Sequence, residues 1–192
     1  MMKRYPELIE AVLRADGLLT KLFPSDLLDR ELVRKIRAAD DAALAGADPI
    51  HHRAMFELVR GGLFYALDAL SEAHAIFQAV HEDEASYWHG MMHRREADFD
   101  NARYWFRRAG TLAAFPAMHH AASEHSADMA RQLNWDPFLV TNQAEQARHG
   151  APELTAEVSA MQHAEFTALL DYCWRKAFNR RGHPRVERHG RI

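Results

Sequence analysis

Scarcity of strand-forming residues places the first constraint on this chain: seven Val, five Ile and five Thr stand against 33 Ala in 192 residues. Ala is the strongest intrinsic helix former, whereas β-branched side chains lose rotamer freedom in a helix and suit a pleated surface. The expected fold class is therefore all-α. Pro6, Pro24, Pro49, Pro116, Pro137 and Pro152 each fall at or just before the start of a helical pattern, where a missing N–H and a fixed φ cost little. The pattern predicts about nine helices, over residues 6–20, 27–45, 49–66, 69–81, 84–97, 100–109, 116–133, 137–148 and 152–178. Asp48 and Asp136 are expected as N-caps, and Gly46, Gly110 and Gly150 as C-terminal glycines.

No Ser- or Gly-rich linker divides the chain, so residues 1–179 read as a single all-α domain. Residues 180–192 carry five Arg against one Glu and read as a basic, mobile tail on an acidic body. Such a body lacks the positive face that displaces counterions from a duplex, which makes nucleic acid an unlikely partner. A lone cysteine, Cys173, excludes an intrachain disulfide framework and any CxxC site. It fits a reducing compartment, and the expected location is cytoplasmic. No apolar run approaches the roughly 18 residues of a membrane span, and none of GxGxxG, GxxxxGK[ST] or GxSxG occurs, which removes the motif-level case for dinucleotide, P-loop and α/β-hydrolase chemistry.

An internal repeat is visible in SYWHGMMHRREADFDNARYWFRRAG, residues 86–110. Gly90, His93, Ala102 and Phe106, followed by Ala109, take the spacing that tetratricopeptide hairpins use, and Gly61, Phe64, Ala73 and Phe77 take it 29 residues earlier. Small residues at Gly90 and Ala102 let two antiparallel helices approach closely, while Phe99, Ala102, Phe106 and Ala109 form a face to be buried. The expected architecture is thus antiparallel helical hairpins, tetratricopeptide-like. The offset is shorter than the usual period of about 34, and a third copy is missing where stacks need about three. Generic alternating helices remain the alternative.

YWHGMMHRREADFDNARYWFRR, together with WDPF at 135–138 and LLDYCWRKA at 169–177, resembles a family of uncharacterised bacterial and fungal proteins. The resemblance covers residues 55–178 and implies a grouping but no reaction.

Thirteen histidines are present, and position matters more than number. His89, His93 and Glu96 project within about a 60° arc of one helix, and His74, Gln78 and His81 repeat the spacing on the helix before it. An antiparallel arrangement brings the two stripes together. One reading is a concave site for a small ligand or a protein partner, lined by His74, Gln78, His89, His93, Arg94 and Arg95, in which guanidinium forks meet a carboxylate or phosphate and Tyr87, Trp88, Tyr104 and Trp105 form walls. The other is a divalent-metal-dependent enzyme, with His89, His93 and Glu96, joined by His74 or His81, holding an ion that activates water. Against both stand ordinary hydrogen-bonded histidines, with Arg94 pairing to Asp98 at i+4. His119, His120, Glu124 and His125 read as an exposed face, and His51 and His52 as surface residues in the first turn after Pro49. Cys173, Met91, Met92 and Trp88 read as core. Phe166, Leu169, Leu170, Cys173 and Trp174 make an apolar stripe that suits either the monomer core or a homodimer interface.

Overall fold

The computed structural model describes residues 5–179; the basic segment 180–192 lies outside them. The described residues hold no β-strand and eleven α-helices, nine of them of seven residues or more. In chain order these are α1 Glu7–Leu13, α2 Arg30–Ala38, α3 Asp41–Ala45, α4 Arg53–Ala66, α5 Leu70–Ala79, α6 Asp83–Arg95, α7 Phe99–Ala109, α8 Phe115–Ser123, α9 Ala127–Ala130, α10 Pro137–His149 and α11 Thr155–Phe178. A single 3-10 turn, Pro152–Leu154, precedes α11. No helix among them is long and apolar enough to cross a membrane.

Local capping explains where the helices differ from the sequence pattern. The stretch 27–45 splits because the Asp40 carboxylate accepts from the Ala43 N–H and starts α3. Likewise 116–133 splits because the Ser126 hydroxyl accepts from the Met129 N–H and starts α9. Asp136 caps α10 through the Phe138 N–H as expected, and Gly46, Gly110 and Gly150 end their helices with positive φ. Asp48 caps nothing: α4 begins five residues later, after His52. His51 and His52 precede that helix, and their N–H groups both donate to the Ala177 carbonyl, closing the loop onto the end of α11.

Two hairpins form the centre, α4 with α5 and α6 with α7. Their turns are alike. In the first, the Ala69 N–H donates to Phe64 O and the Asp68 N–H to Tyr65 O; in the second, Asp98 donates to His93 O and Ala97 to Arg94 O. This is the Schellman closure, and it places Asp68 and Ala97, 29 residues apart, at φ +61 and +60. The glycines are equivalent too. A Cβ on Gly61 would lie 2.5 Å from Phe77, and one on Gly90 2.7 Å from Phe106, so both hairpins depend on a helix surface bare enough to seat a phenyl ring.

α11 packs along α4 and α8 and closes the core over the hairpins. Trp88 is fully buried there, stacked on Phe77 at 5.4 Å and edge-on to Tyr65 and Phe166. Met91, Met92 and Cys173 are buried in the same core, and burial pushes the Cys173 thiol up to about 12. Phe166, Leu169, Leu170 and Cys173 therefore belong to the chain's own interior rather than to an exposed stripe. Arg60 on α4 donates to the Ala39 and Ile36 carbonyls and ties the end of α2 to the first hairpin.

Candidate functional site

The groove between α5, α6 and α7 collects three imidazoles. His74 comes from α5, and His89 and His93 from successive turns of α6. The ring centroids of His74 and His89 are 4.6 Å apart, those of His89 and His93 4.9 Å, and those of His74 and His93 5.8 Å. One nitrogen from each ring lies within 4.8 Å of the other two. The contact between Gly90 and Phe106 sets this geometry. It draws α7 onto α6, and Trp105, the neighbour of Phe106, comes to lie flat on His89 with centroids 4.0 Å apart.

His89 is only 2% exposed, and neither of its ring nitrogens has a hydrogen-bond partner. A buried polar group in that state costs about 1–3 kcal/mol. Desolvation first, and then the neighbouring His93 and His74, push its pKa down to about 4. The ring is consequently neutral at physiological pH, with a free lone pair. His93 is held differently. Its Nδ1 lies 3.1 Å from a Glu96 carboxylate oxygen and 3.9 Å from one of Asp98, while the Asn101 amide nitrogen lies 3.1 Å from Nε2. Burial lowers the His93 pKa, and the charges of Glu96 and Asp98 oppose that shift.

The sequence-derived ligand set is only partly brought together. His74, His89 and His93 meet; Glu96 stands behind His93, as a partner of its Nδ1 rather than as a third member of the cluster. Gln78 near the end of α5 and His81 in the loop that follows it are exposed, on a cavity of about 250 Å³ beside the cluster. Arg94 and Arg95 leave the groove altogether. Arg94 is fully buried against Glu165, donates through Nε to Gln162 at 3.0 Å, and does not pair with Asp98. Tyr87 donates to the same Glu165 at 2.6 Å, and Trp135 to the Tyr87 hydroxyl at 2.5 Å. Arg95 pairs with Asp68 at 2.6 Å and donates to the Tyr65 and Lys21 carbonyls.

Of the four expected aromatic walls, Tyr87 and Trp88 are core, Tyr104 is half exposed, and Trp105 lies against the cluster. His119 is tied to the Met129 and Gln132 carbonyls, whereas His120, Glu124 and His125 are exposed. Asn101 was not anticipated as part of the site; its only signal is its place in the turn after α7's N-cap, eight residues beyond His93. Protein-family profiles, curated proteins and solved structures were all compared with this chain, and none matches it.

Proposed function

We propose that this protein is a helical, tetratricopeptide-like binding domain whose ligand is a divalent transition-metal ion held by His74, His89 and His93. One observation carries the reading: His89 is enclosed, neutral, and has both ring nitrogens unpartnered at the centre of the cluster. Buried polar groups almost always find partners, and an ion facing the lone pair supplies one.

Neutral imidazoles select zinc, copper, nickel or iron over magnesium and calcium. Helix-borne histidines on facing helices are a recurrent way of building such sites. Glu96 stands behind His93, where a carboxylate on Nδ1 orients the ring and raises its basicity, and an ion at Nε2 would take the place of the Asn101 amide there. Three protein donors leave a fourth position for water, which is the arrangement of catalytic rather than structural zinc. A bound water acidified in that position is a nucleophile at neutral pH, so the reading extends to a metal-dependent enzyme.

The test is metal content. Protein made without a polyhistidine tag and kept free of chelator is expected to take up one zinc per chain and to melt higher when loaded. His89→Ala and His74→Ala are expected to fold but to lose the stoichiometric metal. An unchanged melting temperature with zinc and after chelation, with no metal bound, would overturn the proposal.

A further inference from the structure

The cavity of about 250 Å³ beside the histidines lies where α5 ends, α6 begins and α7 ends. It falls below the range of about 300–1,000 Å³ typical of drug-sized ligands, so its occupant is small. Its wall nearest the cluster is Trp105, the same indole that stacks on His89. Ser86, one turn before His89 on α6, is nine-tenths buried and lines the cavity.

Charges of both signs line the cavity without neutralising each other. Among the described residues Arg108 forms no hydrogen bond or ion pair; its guanidinium sits over the Trp105 ring at 5.5 Å. Asp83, in the first turn of α6, likewise forms no ion pair among the described residues, and Glu82 stands beside it. Phe77 and Trp105 supply apolar walls between these charges. A purely anionic ligand would meet Asp83 and Glu82, and a purely cationic one would meet Arg108. A molecule bearing both charges satisfies the two ends at once.

We propose that this cavity binds a small zwitterion of amino-acid type, its carboxylate toward Arg108 and Ser86 and its ammonium toward Asp83, next to the ion of the metal site. The inference rests on the metal reading only for its coupling. Arg108, Trp105, His89 and His93 form a continuous stack, so a ligand that orders Arg108 and Trp105 also orders His89. By linkage, zinc and the zwitterion then change each other's affinity by the same factor.

The experiment is calorimetric titration of the full-length protein, zinc-loaded and zinc-free, with each of the standard L-amino acids. The decarboxylated and deaminated analogues of the tightest one follow. At least one amino acid is expected to bind, both analogues to bind about tenfold more weakly or worse, and Arg108→Ala and Asp83→Asn to lose about tenfold each while retaining zinc. Affinity that differs between loaded and zinc-free protein supports the coupling. No binding by any amino acid, or equal binding of the amine-only and acid-only analogues, overturns the proposal. Zinc content measured on the same samples reports separately on the metal site.

Discussion

The indole of Trp105 lies parallel to the imidazole of His89, 12° between planes and 4.0 Å between centroids. This contact makes the tryptophan a reporter of the histidine. The clustered nitrogens span up to 4.8 Å, whereas tetrahedral zinc with bonds of 2.0–2.1 Å sets its donors about 3.3 Å apart. Binding must swing rings inward. Zinc is therefore expected to change tryptophan emission in the wild type. In Trp105→Phe the change should be lost while one zinc per chain is retained; an unchanged response in that variant would show that the signal comes from Trp88, Trp135 or Trp174.

Glu96 acts through His93 and is half exposed, so its removal should spare the fold. Glu96→Gln keeps a hydrogen-bond acceptor but removes the charge, and Glu96→Ala removes both. Zinc affinity is expected to fall roughly 10–100-fold in Glu96→Ala and less in Glu96→Gln. Competition against a chelating dye measures both, and equal affinity in all three proteins would place Glu96 outside the site.

The depressed pKa of His89 gives metal-free protein a defined acid sensitivity. Above about pH 6.5 the ring is neutral in the folded and unfolded chain, and it contributes no slope. Between about 6.5 and 4 the unfolded chain takes up a proton that the folded state refuses, so stability falls as pH falls, by up to about 1.4 kcal/mol per pH unit. Urea unfolding across that window should show a shallower dependence in His89→Gln than in the wild type.

Arg94 and Glu165 are a buried pair with no exposure on either side chain. Removing one partner strands the other's charge. Arg94→Leu and Glu165→Leu are each expected to cost about 3–5 kcal/mol, and the double variant less than their sum. Denaturant melts of the four proteins give the coupling directly, and additive losses would mean that the pair is not an energetic unit.

The hairpin turns and the glycine seats make opposite predictions at neighbouring sites. Gly90→Ala pushes a methyl to within 2.7 Å of Phe106 and should cost about 1–3 kcal/mol, disturbing Trp105 as well. Ala97→Gly relieves a left-handed residue at φ +60 and should stabilise by about 1 kcal/mol. Thermal melts separate the two.

Much of this was legible from the residues, for reasons that also set the limit. Alanine content and proline placement announce helices because both act within one turn of chain. The breaks at Asp40 and Ser126 were missed because a short polar side chain inside an otherwise continuous pattern reads as a solvated position, although it competes for backbone N–H groups. His89 and His93 are visible as a pair because four residues return to the same face. Arg94 and Arg95 are adjacent to His93 in sequence, yet successive residues turn about 100° around a helix, and each arginine must therefore face elsewhere. Their partners Gln162, Glu165 and Asp68 come from other helices and turns, beyond the reach of local spacing. His74, on the preceding helix, meets His89 and His93 across the hairpin; that Glu96 stands behind His93 depends on the conformation of the turn at Ala97.

The matched turns at Asp68 and Ala97 put the two hairpins in register, so Arg60 occupies in the first the position that His89 holds in the second. Arg60 is committed to the carbonyls that end α2, and its hairpin is thereby tied to that helix. The later copy bears no such burden at that place. The register alone sets the two hairpins apart, one anchoring a neighbouring helix and the other presenting an imidazole at the matching place. Exchanging the two residues would move an anchor into the histidine cluster and an imidazole beneath α2.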